Sequence, residues 1–176
     1  AIIQEIELRK EVFANEFISS IYFGGGTPSL LSKKELDMIF EKLYTSFSID
    51  ADAEITLEAN PDDLTFEKIK QLKDSPVNRL SIGVQSFRDE DLKYMNRAHT
   101  AVEALNSIKM VQDAGIQNIT IDLIYGTPGM SNEDWKRNLK KSFELNLPHI
   151  SSYALTVEEK TALHYKILKN KIDPVD

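Results

Sequence analysis

Apolar positions along the chain alternate between two periods. Ile2, Ile3, Ile6, Val12 and Phe13 recur at helical spacing, so Ala1–Phe17 reads as an amphipathic helix. Leu36, Ile39, Phe40, Leu43 and Phe47 repeat the helical stripe after Ser32, and Val102, Leu105, Ile108 and Val111 do so after Thr100. Trp135, Leu139 and Phe143 form a further helical stripe after Ser131, with Trp135 read as core, and Leu64, Ile69 and Leu72 mark a shorter helix. Ser32 with Glu35 and Thr100 with Glu103 are capping boxes, and Ser131 with Asp134 starts its helix in the same way. In such a box the hydroxyl accepts from a free helix amide while the acid reaches back. Gly115 supplies a helix stop.

Short apolar runs separate these helices: Ile18–Phe23, Glu54–Glu58, Arg79–Val84, Asn118–Tyr125 and Ile150–Leu155. They are rich in Ile, Leu and Tyr and too short for helices. Strand followed by helix, repeated, predicts parallel strands joined by right-handed crossovers. Strand starts fall about 25 to 40 residues apart, the size of a βα unit. No low-complexity linker interrupts the pattern, which predicts a single domain across 1–176.

Unusual residues gather where strands end. Gly24-Gly25-Gly26-Thr27-Pro28 follows the first run, Glu58-Ala59-Asn60-Pro61 ends the second, and Gln85 ends the third. Asp122 and Tyr125-Gly126 come late in the fourth, and Tyr153 late in the fifth. A doubly wound sheet serves its ligand from a few strands at one switch point. A barrel gathers all carboxyl ends around one site. The distribution predicts an α/β fold, a partial TIM-like barrel with about five βα units, since a complete one needs about 250 residues.

Composition narrows the function. The chain has 176 residues, 41% hydrophobic and 28% charged, as a soluble globular domain would. Its net charge of −7 gives no electrostatic footprint for nucleic acid or an anionic membrane. No apolar run approaches the roughly 18 residues of a membrane span, and no signal peptide is visible, so a cytoplasmic location is expected. There is no cysteine, which excludes disulfides, thiol catalysis and thiolate-held metals within this chain. His99, His149 and His164 lie far apart and show no metal-ligand spacing.

Each candidate residue has a bland alternative. Three successive glycines leave backbone open to a ligand, where a tight turn would need only one. Glu58 reads equally as a surface carboxylate or a ligand to a ribose or an amine, and Pro61-Asp62-Asp63 reads as helix-entry chemistry. Gln85 and Arg97 carry little signal alone. Asp122, between Ile121 and Leu123, is costly to bury unless it is paired or binds something. His99 reads as capping or exposed, and Lys33-Lys34 and Lys166–Lys171 as solvated faces.

Taken together, the ordered strings resemble one family. Tyr22–Ser29 looks like the glycine motif of radical S-adenosylmethionine (SAM) proteins. Glu54–Pro61, Asn78–Phe87 and Ile121–Pro128 are similar, in order, to blocks of the oxygen-independent coproporphyrinogen III oxidase and HemW heme chaperone group. The resemblance runs from about Ile18 to Thr161. It implies a partial (β/α)₆ radical SAM barrel with SAM as ligand. Gly25, Gly26 and Thr27 would line its methionine end, Glu58, Gln85, Arg97 and Asp122 would be polar contacts, and the Ala154 backbone would lie near the adenine. Asn96–His99 and His149–Glu158 resemble the heme-chaperone form, so heme binding is the first expectation. Oxidative decarboxylation of coproporphyrinogen III is the alternative. The resemblance also implies a [4Fe-4S] cluster whose cysteines lie in a segment preceding this sequence. It further implies a C-terminal domain following it, heme or a porphyrinogen as partner, and an acceptor for heme that includes a membrane-associated one. On that reading the chain is the central part of a longer protein and inactive by itself, with its oligomeric state left open. An unrelated barrel enzyme holding phosphate at Gly24–Thr27 is a third reading.

Overall fold

The computed structural model describes residues 1–171. Five strands form one sheet in the order β1-β2-β3-β4-β5, and every neighbouring pair is parallel. They are β1 (Phe17–Phe23), β2 (Ser48–Ala59), β3 (Arg79–Gln85), β4 (Ile119–Tyr125) and β5 (His149–Ala154). Because the order never reverses, the sheet has no topological switch point. The units follow one another as in a barrel, and together they make a half-barrel.

The helices are α1 (Ile2–Arg9), α2 (Lys33–Ser46), α3 (Phe66–Lys73), α4 (Asp89–Tyr94), α5 (Ala101–Asp113), α6 (Asn132–Glu144) and α7 (Ala162–Leu168). Capping boxes are present at Ser32, Thr100 and Ser131. Gly115, at φ +91°, follows α5.

Alternation along the strands decides which face carries chemistry. Ile55, Leu57 and Ala59 of β2, Leu80, Ile82 and Val84 of β3, and Ile119, Ile121 and Leu123 of β4 share one core with Leu36 and Phe40 of α2 and Ile108 and Val111 of α5. Successive side chains in a strand point to opposite faces. The residues between are therefore turned the other way: Thr56 and Glu58, Ser81 and Gly83, Thr120 and Asp122. Register aligns them, with Glu58 opposite Ser81 and Asp122 opposite Ser151. One face of the sheet is apolar and covered by helices; the other is a polar floor.

Several expectations change. The first helix ends at Arg9, and a 3-10 turn over Lys10–Phe13 leads into β1. Only Ile3 and Ile6 of its apolar positions are half-buried, so nothing sustains a longer helix. β2 begins earlier than its apolar run, because Ser48 and Ile49 already pair with Phe17 and Ile18 despite the exposed acids that follow. In α6 the buried positions are Asn138 and Ser142; Trp135 and Leu139 are half-buried, and Phe143 is 66% exposed. Val102 is likewise exposed. His99, expected as a cap or surface residue, is 3% exposed. It fills the space between the end of β3 and the turn after β2, accepting burial because one ring nitrogen finds the Val84 carbonyl at 3.0 Å.

Candidate functional site

The turn after β1 is built on backbone freedom. Gly25 and Gly26 have φ of +80° and +67°, a region that side chains other than glycine's rarely enter. A carbon added at either would meet nothing within 4 Å, so this stretch of backbone lies open to a ligand. Pro28–Leu30 forms a 3-10 turn, and the Ser29 hydroxyl donates to Asp63 at 2.7 Å. That bond ties the glycine turn to the turn after β2.

Glu58, two residues from Asn60 at the end of β2, is held at both oxygens. Tyr22 Oη donates to Oε1 at 3.0 Å, and the Gly25 N–H donates to Oε2 at 3.2 Å. Gly24 must be small here, because a Cβ would stand 2.9 Å from the Tyr22 ring and 3.0 Å from Glu58 Oε1. Burial is the main cause that raises the Tyr22 phenol above its ordinary pKa, with Glu58 and Asp122 adding to it against a hydrogen bond with Ser81. The phenol therefore keeps its proton as donor.

Asp122 of β4 accepts from Ser81 Oγ at 3.4 Å. Burial raises its pKa, hydrogen bonds with Ser151 and Ser81 pull it back, and the Glu58 carboxylate raises it further. Arg97, after α4, reaches over the sheet end. Its Nη2 donates to Asn60 Oδ1 at 2.9 Å and lies 3.5 Å from the Gly83 carbonyl. Gln85 closes β3 with φ +66° and lays its amide over Gly83, where a Cβ would meet Nε2 at 2.9 Å.

These groups surround one polar cleft of about 230 Å³, lined by Gly26, Thr27, Glu58, Gln85, Arg97 and Asp122 among others. Gly25 borders it through its bond to Glu58. Ala154 is elsewhere: exposed at the end of β5, opposite Tyr125 and outside the cleft lining. Its neighbour Leu155, anchored by its N–H to the Tyr125 carbonyl at 2.8 Å, lines a larger recess of about 700 Å³. Gln85 and Arg97 belong to both cavities.

Sequence reasoning passed over Tyr22, Asn60, Ser81 and Gly83 as site residues. For Ser81 and Gly83 the signal was available, since they alternate with Leu80, Ile82 and Val84. It also passed over Asp91, 1% exposed, which accepts from Ser86 (2.8 Å), Thr127 (2.7 Å) and Arg88 (2.7 Å). This carboxylate joins α4 to the segments that follow β3 and β4. Nothing distinguishes it within the charged run Arg88-Asp89-Glu90-Asp91.

The cleft can hold a zwitterionic small molecule with hydroxyls. Arg97 suits a carboxylate; Glu58 and Asp122 suit an ammonium group, another cation or a ribose. An iron–sulfur cluster does not fit these residues. The sequence has no cysteine, and among the described residues no group of three His, Cys, Asp or Glu converges to hold a metal.

Comparison with known proteins matches the radical SAM superfamily over residues 2–141. The heme chaperone HemW of Lactococcus lactis subsp. lactis is 44% identical over 149 residues, covering 85% of this chain and 39% of that protein. HemW of Escherichia coli K12 is 40% identical, covering 82% of this chain and 38% of the relative. The chain thus spans about two fifths of the length of these relatives. Among solved structures, the coproporphyrinogen III oxidase HemN of Escherichia coli, described as a radical SAM enzyme, superposes with a TM-score of 0.79 at 28% identity, over 97% of this chain and 43% of that one.

Proposed function

This chain belongs to the radical SAM superfamily, and from that premise we propose that its cleft is a SAM site within a heme-binding protein similar to HemW. The observation that supports this reading is convergence. Residues from the ends of four successive strands, 30 or more positions apart in part, meet in a cleft whose charges complement those of SAM. SAM carries a carboxylate, an ammonium, a sulfonium and a ribose. Gly25, Gly26 and Thr27 would line its methionine end. Glu58, fixed by Tyr22 and Gly25, would accept from the ammonium. Asp122 and Gln85 would bond the ribose or flank the sulfonium, and Arg97 would draw the carboxylate. Ala154 would offer its backbone to the adenine from beyond the cleft rim.

SAM and a [4Fe-4S] cluster are the cofactors of this superfamily, and with the cluster bound the pair supplies radical chemistry. These 176 residues can supply only the SAM half, because they hold no thiolate. The cluster belongs, on this proposal, to a part of the whole protein outside them. The greater identity to the two heme chaperones than to the oxidase favours heme binding over oxidative decarboxylation of coproporphyrinogen III. Heme, a membrane-associated acceptor for it and a cytoplasmic location are proposals for the whole protein. Among the described residues no helix is long and apolar enough to cross a membrane.

The test is a titration of the ¹⁵N-labelled chain with SAM and, separately, inorganic phosphate. Weak SAM binding that shifts Gly25, Gly26, Gln85 and Asp122 is expected. Phosphate displacing SAM at the glycine turn would favour an unrelated phosphate enzyme instead. Anaerobic reconstitution with iron and sulfide should leave this chain colourless, and a stoichiometric cluster in it would overturn the division of labour. In the whole protein, heme retention without loss of carbon dioxide from coproporphyrinogen III separates chaperone from oxidase.

A further inference from the structure

β3 ends in a turn of unusual strain. The Ser86 N–H donates to the Val84 carbonyl at 2.8 Å across Gln85, whose φ is +66°. A γ-turn with a positive central φ is the rare, strained form, and glutamine has none of glycine's freedom there. The strand register slips at the same place: Ile82 faces Ile121, but Gln85 faces Leu123. Such a conformation persists only where its surroundings over-determine it.

His99 provides that constraint. Its ring is buried, and Nε2 lies 3.0 Å from the same Val84 oxygen. A carbonyl only accepts, so Nε2 carries a proton and donates it. Nδ1 is buried with no hydrogen-bond partner and stands 3.6 Å from Asp62 Oδ1. A residue placed only to fill space would not leave a buried polar atom unpaired, since that costs free energy a leucine or phenylalanine avoids. What the ring provides is the one bond to Val84, the carbonyl that closes the turn.

We infer that His99 is a positioning residue: it clamps the Val84 carbonyl, holds Gln85 in its left-handed turn, and so aims the Gln85 amide over Gly83 into the cleft. The consequence for SAM rests on the proposed SAM reading of that cleft, whereas the clamp itself does not. His99 does not line the cleft and acts on it through Gln85.

The experiment compares His99→Phe, which keeps the ring volume without a donor, with His99→Gln, which keeps an N–H donor. In the first, Ser86 amide exchange should accelerate about tenfold, the loss of roughly one hydrogen bond, while β4 and α5 amides stay protected. His99→Gln should restore most of the protection. Long-range ¹H–¹⁵N spectra of the wild-type chain should show Nε2 protonated. Ser86 exchange unchanged in His99→Phe, or His99 protonated only at Nδ1, overturns the clamp. For SAM, His99→Phe should weaken binding about three- to tenfold, and add nothing in a Gln85→Ala background. Equal losses in both backgrounds overturn action through Gln85. No SAM binding by the wild type overturns the cleft assignment alone, and the clamp is still judged by Ser86 exchange.

Discussion

Replacing Gly83 by Ala adds one carbon to the floor of the cleft. That carbon would stand 2.9 Å from Gln85 Nε2, 3.4 Å from Arg97 Nη2 and 3.6 Å from Asn60 Oδ1. The tightest neighbour is the end of a flexible side chain, so it can swing away for about 0.5–1.5 kcal/mol of rotamer strain. Gly83 is not among the positive-φ glycines, and alanine fits a strand backbone. Restricting the unfolded chain returns about 0.4–1 kcal/mol. The two effects nearly cancel, leaving stability within about 1 kcal/mol of wild type. Binding does not escape so lightly. The amide of Gln85 is displaced while Arg97 stays at ordinary contact, and losing one neutral hydrogen bond costs about 0.5–1.5 kcal/mol. SAM affinity should therefore fall about 2- to 10-fold. Urea unfolding and an NMR-detected SAM titration measure the two quantities on one protein. A destabilisation beyond about 3 kcal/mol would show that the floor cannot yield and that cavity strain dominates. Unchanged affinity would show that the Gln85 side chain does not meet the ligand.

Asp122→Asn should separate stability from binding by pH. The folded carboxyl titrates above its unfolded value because it is buried, so the folded state binds more protons between the two values and stability falls as pH rises through that window. The variant should accordingly be more stable than wild type at neutral pH, lose that advantage in acid, and bind SAM less well; an advantage that grows as pH falls would contradict the sign. Asp91→Ala should cost about 1–3 kcal/mol in urea unfolding, because the buried Ser86 and Thr127 hydroxyls lose their acceptor while Arg88 keeps Glu90; a loss under about 1 kcal/mol would show that the donors find other acceptors. Thr100→Ala should cost about 1 kcal/mol through the lost cap of α5, checked by thermal unfolding against Val102→Ala, an exposed position expected to be near neutral. β1 pairs only with β2, and its other edge is open among the described residues, with Phe17 76% exposed beside it; open edges recruit strands, so sedimentation of this chain should show association that grows with concentration, and a strict monomer would count against it.

The order of elements was legible because helices and strands here have distinct periods and capped starts. Ser32, Thr100 and Ser131 announced three helices by chemistry alone. The early part of β2 was hidden, since Asp50 and Asp52 carry no apolar signal and that stretch is made a strand by pairing with β1. Phe143 was misplaced because an apolar side chain on a helix can face outward where Asn138 and Ser142 serve the interior. Within the site, Gly25, Gly26 and Asp122 stood out by cost: unusual freedom, or a carboxylate between apolar neighbours. Gln85 and Arg97 have no such mark, and only the family resemblance raised them. His99 and Asp91 were unreadable in principle, because their roles depend on the Val84 carbonyl and on Ser86 and Thr127, which only the folded chain brings near.

Each wall of the cleft is furnished by a different βα unit, and side-chain bonds such as those of Glu58 with Tyr22, Asn60 with Arg97 and Asp122 with Ser81 join the units across it. A ligand seated there would add a further tie between segments already joined by sheet pairing and by those bonds. Its grip is felt by the sheet as a whole, so occupancy should shift unfolding of all the units together. At a ligand concentration a hundred times Kd the gain is about 2.7 kcal/mol, a sizeable part of what holds a domain of this size folded. A SAM molecule bound there would be a structural member of the half-barrel, and its removal should first be felt as a looser sheet.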